Sequence, residues 1–234
     1  RWIDAPDRVL RISEPGGDLV HSEEEVDGLL VRTWSARAVP ALEPEPNPPA
    51  DVFQYPMLQI TPFADWKGIA EKLLSKWNFE ASDRSALDEE LSMIRAAGGD
   101  DEDKLVDAAV ASARDAVRYQ NYSPGMLAIV PDNVSSIWER RFGDCKEKSL
   151  LLVWFLSECG IDAVPVLVNS GIGGALPLLL PTPTLFDHVV TLVRLKDHFL
   201  WIDPTDVYRG GRPSTWKSLS FSWALPLEEG AAKL

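Results

Sequence analysis

The chain has 234 residues, 45% of them apolar and nine of them tryptophan, with 36 acidic against 23 basic side chains and a formal charge of −13. That length and apolar share bury one sizeable core with a smaller unit beside it. The charge argues against nucleic acid or an anionic membrane surface as the main partner, because no basic stripe offsets it. The longest apolar run inside a helical pattern, Leu150 to Leu156, falls far short of the roughly 20 residues that span a bilayer, so no membrane insertion is expected.

Arg1 rather than Met opens the sequence on strand-like residues, so it reads as a fragment or processed form whose targeting signal is not visible. Residues 1–43 carry short alternating segments, Arg8–Ile12 and Leu29–Ala38, separated by Pro15-Gly16-Gly17 and Asp27-Gly28. Such pairs supply the φ > 0 positions of tight hairpin turns. Two or three strands alone are marginal. They read as the tail of an N-terminal β domain, a piece that packs on something else or has lost partner strands to truncation. Residues 44–52 form a proline-rich linker, an extended spacer that denies helix and sheet hydrogen bonds.

Beyond the linker, residues 53–212 form the core domain. Apolar positions at helical spacing predict a helix over Phe63–Trp77, opening near Thr61-Pro62. A second helix spans residues 83–97, closed by Gly98-Gly99. A third spans Asp101–Tyr119, its acidic first turn opposing the dipole rather than binding metal. Loop and a short helix follow to Gly143, with turns at Pro124-Gly125 and Pro131-Asp132.

The stretch Arg141–Asn169, RFGDCKEKSLLLVWFLSECGIDAVPVLVN, organises the rest. A glycine turn and an acidic residue lead into Cys145, a long apolar run ends at Gly160, and a β-branched strand follows at Ala163–Asn169. Unpaired backbone N–H groups at a helix start stabilise an anion, so a thiol placed there is set up as a nucleophile. The second cysteine, Cys159, lies roughly 20 Å along the same helix at about 1.5 Å per residue, too far for a disulfide. It is read as structural. Two cysteines and three histidines without a C-x-x-C pattern give no structural zinc site. No cofactor or metal is expected.

After a Gly-, Pro- and Leu-rich loop at residues 170–186, a hairpin of His188–Leu195 and Phe199–Asp203 is predicted. A turn at Leu195 to Asp197 puts Asp203 opposite His188 or two residues from it, on the same face. A carboxylate beside an imidazole fixes its tautomer and stabilises the imidazolium, which in turn holds a thiolate. Cys145, His188 and Asp203 thus read as nucleophile, base and orienter. His21 and His198 fall in loop and turn positions outside this group.

The motifs R-x-GDCK-x-K at Arg141–Lys148, GIDA-x-P at Gly160–Pro165, FDHVV at Phe186–Val190 and W-x-DPT at Trp201–Thr205 resemble the bacterial transglutaminase-like superfamily. The segment from Trp34 to Pro49 looks like the junction by which one branch joins its core to an N-terminal β-sandwich of unassigned function. The resemblance implies an α+β, papain-like architecture, with a Cys-bearing helix packed on an antiparallel sheet whose adjacent strands bring His and Asp. Residue by residue it assigns Cys145, His188 and Asp203. Glu147 stands where the motif usually has Asp, and Cys159 where an apolar residue is usual. Residues 213–234 follow no recognised pattern and stay unassigned.

An oxyanion hole needs the backbone N–H of Cys145 and a second donor from upstream, where Tyr119, Gln120 and Asn121 are candidates, Gln120 by its amide chemistry and Tyr119 by the resemblance. Asp144 is expected as an N-cap and Lys146 as an exposed or ion-paired residue. The loop 171–185, with Leu176, Leu178, Leu179 and Leu180, is a candidate wall of a substrate cleft or a protein interface. The expected activity is that of a thiol hydrolase or acyltransferase on peptide or isopeptide amide bonds of a peptide or protein substrate, hydrolysis favoured over cross-linking. The rival is a catalytically silent scaffold binding a protein or cell-envelope peptide. The compartment stays open, with a bacterial, exported or periplasmic setting as the expectation.

Overall fold

The computed structural model describes residues 2–4, 11–13, 19–38, 41, 43, 45–47, 49, 58–121, 129–207, 211–212, 215–216, 219 and 221–230. The expected turns at Pro15-Gly16-Gly17 and Pro124-Gly125, and most of the linker, lie outside these residues.

At the N-terminus, β1 (Trp2–Asp4), β3 (Val20–Val26) and β4 (Leu29–Ser35) form an antiparallel sheet in the order β1-β4-β3. Its hairpin turns at Asp27 and Gly28, with φ of 53° and 76°. A two-residue turn with both φ values positive matches the twist of the flanking strands, as the Asp-Gly pair predicts. β2 (Arg11–Ser13) pairs instead with β5 (Gln59–Thr61), beyond the linker.

Three helices follow. α1 (Trp66–Leu74) starts later than its apolar pattern implies, because Asp65 is the cap and accepts from Gly68 N. The hydroxyl of Thr61 is committed elsewhere, donating to Pro181 O. α2 (Ser85–Gly98) ends at Gly99, whose φ of 58° suits glycine. α3 (Glu102–Asp115) is capped by Asp101 and stops before the expected end at Tyr119. There the chain forms β6 (Arg118–Tyr119), parallel to β7 (Phe142–Gly143), with Arg118 N donating to Arg141 O and Gln120 N to Gly143 O. Between β6 and β7 lies α4 (Val134–Arg140), closed by Arg141 in the left-handed region.

α5 (Cys145–Glu158) is buried continuously from Lys146 to Leu156. A helix apolar on every side belongs inside a core, and here α3, α4 and a four-stranded sheet surround it. The sheet runs β10-β9-β8-β11 and is antiparallel throughout, with β8 (Asp162–Val168), β9 (His188–Arg194), β10 (Phe199–Ile202) and β11 (Ala224–Pro226). Leu167, Val189, Val193, Leu200, Ile202 and Leu225 join the main core with α5, while Val166, Val168, Val190 and Leu192 form a second cluster. This is the two-residue alternation of a sheet covered on both faces.

The C-terminal extension thus has a structural place. It supplies edge strand β11, Ala224 opposite Val168, and lays Leu219 and Phe221 on the second cluster. The loop 170–186 contains two short 3-10 turns, Gly173–Leu178 and Pro183–Leu185. The architecture is α+β, a cysteine-bearing helix packed on an antiparallel sheet, as the sequence implies.

Candidate active site

The start of α5 is built by its own first turn. Asp144 accepts from Glu147 N while the Glu147 carboxylate accepts from Asp144 N at 3.1 Å, a capping box that fixes the entry into the helix one residue before Cys145. Glu147 also pairs with Arg140 at 2.6 Å, tying α4 to this turn. Lys146 is the ion-paired alternative of the two expected, its ammonium on Asp144 Oδ2 with both side chains buried.

His188 opens β9 and Asp203 follows β10, brought together by the hairpin register, in which Ile202 faces Thr191. Asp203 therefore lies two residues from the level of His188, one of the two expected placements. Asp203 Oδ2 lies 2.7 Å from His188 Nε2. Its other oxygen accepts from Thr205 N at 2.9 Å and Thr205 Oγ1 at 2.6 Å, so the carboxylate is held at both ends. Cys145 is the other group that acts on the imidazole, favouring its protonation. With Nε2 turned to Asp203, Nδ1 is the nitrogen left for the thiol.

These partners decide the charge state of the ring. Burial is the largest single influence on His188 and opposes protonation, yet the hydrogen bonds and charges of Asp203 and Cys145 outweigh it and raise the imidazole to about 10. Burial likewise pushes the Asp203 carboxyl up, but His188 and Thr205 prevail and hold it below its ordinary value. At neutral pH the pair is imidazolium and carboxylate.

Cys145 and His188 line a cavity of about 200 Å³ together with Tyr119, Asn121, Phe186 and Asp187, among others. Tyr119 reaches it because β6 runs alongside β7, immediately before the cysteine. Burial, then the nearby Cys145, Asp144 and Asp203, raises its phenol above the ordinary value. Gln120, the next residue on the strand, is absent from this lining, and its amide oxygen accepts from Arg118 at 2.9 Å. Neighbours along a strand face opposite ways.

The loop contributes Phe186 to the cavity wall, packed edge-on against Trp66 at 5.8 Å. Its leucines go elsewhere: Leu176 is buried, Leu178 exposed, and Leu179 and Leu180 line a separate groove beside β5. Asp187 closes the loop base, accepting from Ser170 N and Oγ at 2.8 and 2.6 Å. Thr205 and Asp187 stand in the W-x-DPT and FDHVV motifs, and Lys148 in R-x-GDCK-x-K, where a lysine one turn into an apolar helix is itself a signal.

Cys159 sits at the far end of α5, where burial raises its thiol. His21 stacks on Trp34, and His198 lies 3.4 Å from Asp103, both outside the cavity lining. Among the described residues no group of three or more His, Cys, Asp or Glu side chains is placed to hold a metal ion, and no helix is long and apolar enough to cross a membrane.

No family model and no curated protein matches the chain. In structure it is similar to a "putative protease" from Parabacteroides distasonis ATCC 8503, with a TM-score of 0.67 and 15% identity over 86% of this chain and 38% of that one. It thus spans 38% of the length of that protein. Two looser likenesses are to a TGase (TM-score 0.39, 13% identity, 82% of this chain and 45% of that one) and to a "putative cysteine protease" from Cytophaga hutchinsonii (0.38, 13%, 88% and 67%). The chain shares the fold of the Parabacteroides protein, α+β with a cysteine-bearing helix packed on an antiparallel sheet.

Proposed function

We propose that the chain is a thiol hydrolase or acyltransferase acting on peptide or isopeptide amide bonds through Cys145, His188 and Asp203. The observation that carries this reading is the position of His188, bonded to Asp203 at 2.7 Å and lining one cavity with Cys145. An imidazole held by a carboxylate and facing a thiol at a helix start is the arrangement of base and nucleophile that acyl transfer through sulfur uses.

In the proposed reaction the Cys145 sulfur adds to the amide carbonyl, forming a C–S bond and pushing the carbonyl electrons onto oxygen. That oxyanion takes hydrogen bonds from the Cys145 backbone N–H and from the Tyr119 hydroxyl, which lines the cavity together with Asn121, the other upstream candidate there. Collapse breaks the C–N bond, and the amine departs with the proton from His188, leaving a thioester and a neutral ring. Water then gives a proton to His188 as its oxygen attacks the thioester carbon. The C–S bond breaks, the acid leaves, and the ion pair is restored. An amine in place of water gives transamidation. Hydrolysis is the favoured outcome.

Alkylation by iodoacetamide tests the reading across pH. Reaction at Cys145 that persists well below pH 7 and is slowed by His188→Ala supports it, whereas reaction appearing only near pH 8.5, the range of an ordinary thiol, leaves the silent scaffold. A Cys145→Ala protein screened against peptide-amide libraries then identifies the acyl donor.

A further inference from the structure

Lys148 is fully buried, one turn past Cys145 on α5. Its ammonium donates to Ala113 O at 2.7 Å, to Arg114 O at 3.0 Å and to Val117 O. An ammonium has three protons, and each of the three contacts goes to a backbone carbonyl at the end of α3 or just beyond it. The first two belong to the class of carbonyls that a helix C-terminus leaves without intrahelical partners, and they carry the negative end of its dipole; the third, that of Val117, lies just past the cap, Ala116. A side chain of one helix therefore serves as the C-terminal cap of another.

The chain leaving that cap is β6. Val117, whose carbonyl Lys148 holds, is two residues before Tyr119, which lines the cavity opposite Cys145 and His188. The pairing of β6 with β7 fixes Tyr119 relative to the turn before the cysteine. Lys148 fixes the same segment relative to the helix that bears the cysteine. Burial, the largest influence on it, lowers the ammonium to about 8 against the opposing pull of Asp115 and Asp203, so the group is mostly protonated at neutral pH.

We infer that Lys148 is a positioning residue: by capping α3 from within α5 it sets the distance between the Tyr119 hydroxyl and the Cys145 sulfur. The inference rests on the proposed reading of Cys145 as nucleophile and Tyr119 as oxyanion donor. It requires that loss of Lys148 harm the step that develops an oxyanion and spare the step that does not.

Two reagents separate these steps in the intact protein. Iodoacetamide reacts by direct displacement of iodide from its CH2 carbon, forming a C–S bond with no oxyanion, whereas p-nitrophenyl acetate acylates the sulfur through one and releases p-nitrophenolate as a burst. Lys148→Met is expected to keep alkylation within about twofold while acylation falls about tenfold or more. Tyr119→Phe is expected to show the same split. The Lys148→Met/Tyr119→Phe protein should fall no further than about twofold below Tyr119→Phe alone.

Lys148→Arg, which keeps the charge but presents a planar fork to three carbonyls, is read by the same ratio where Lys148→Met does not fold. Equal falls in alkylation and acylation, or losses that multiply in the double variant, overturn the inference and make Lys148 a structural residue only. A wild-type protein with no alkylation below pH 7 and no burst overturns the thiol-enzyme reading itself, and the inference with it.

Discussion

His188 Nε2 and Asp203 Oδ2 lie 2.7 Å apart, joined across a hairpin whose strands place them two residues out of register. The offset matters because it puts the carboxylate beyond the last paired residue, Ile202 opposite Thr191, where the chain is free to turn and let Thr205 hold the second oxygen. The carboxylate is thereby held at both oxygens.

The stability this pair contributes depends on pH from both ends. His188 is raised from 6.5 to about 10, so its share is full below 6.5 and is lost as pH rises through 10. Asp203 is held below its ordinary 3.8, so its share is present above 3.8 and is lost as pH falls further. The two shifts describe one interaction and are counted once. Asp203→Asn is expected to destabilise by about 1–3 kcal/mol between pH 4 and 6.5, with the gap to wild type narrowing toward pH 10 and toward acid. Thermal unfolding from pH 3 to 11 measures it, and a gap that stays constant with pH contradicts the assignment.

The two cysteines should separate by reactivity. Burial, the largest influence, raises the Cys159 thiol, while Cys145 lines a cavity with His188. One equivalent of iodoacetamide at pH 6 is expected to appear on the peptide containing Cys145, and mass spectrometry locates it. Label found mainly on Cys159 reverses the assignment.

Glu147 serves three partners from a buried position: the Asp144 N–H, Arg140, and, more distantly at 3.4 Å, the Asp132 N–H. Glu147→Ala is expected to cost about 2–4 kcal/mol in urea denaturation, since it strips the capping box and a buried ion-pair partner together. Glu147→Asp, one methylene shorter, should cost less by keeping the cap or the Arg140 pair. A loss for Glu147→Ala no larger than that of an ordinary surface change, about 0.5 kcal/mol, refutes the role.

Gly98 packs directly against Leu105 of α3. A Cβ there would lie 2.5 Å from Leu105 Cγ and 2.8 Å from its Cα, and backbone cannot give way as a flexible tip can. Gly98→Ala is expected to destabilise by about 1–3 kcal/mol despite its better helix propensity. The same change at a solvent-facing helix position stabilises, so the sign alone decides the case.

What was legible in the sequence was mostly what short-range chemistry decides. The cap at Asp144, the apolar length of α5, the Asp27-Gly28 turn and the hairpin at His188 each depend on residues within a few positions of one another. What was not legible depends on distant partners. α3 ends at Asp115 because Arg118 and Gln120 pair with residues about 23 positions further on, and that pairing decides that Tyr119 rather than Gln120 joins the cavity lining. Residues 224–226 make a strand only because β8 offers them an edge. Three residues ending in proline carry too little local preference to announce it.

The burial of α5 from residue 146 to 156 sets how the site comes apart. Backbone amides sheathed on all sides by α3, α4 and the sheet have no route to solvent through partial fraying, so they exchange with deuterium only when the whole core opens. The helix that carries Cys145 therefore has no loosened form of its own. Heat or denaturant that disorders its first turn must dissolve the core in the same transition, and thermal inactivation of the thiol and global melting coincide.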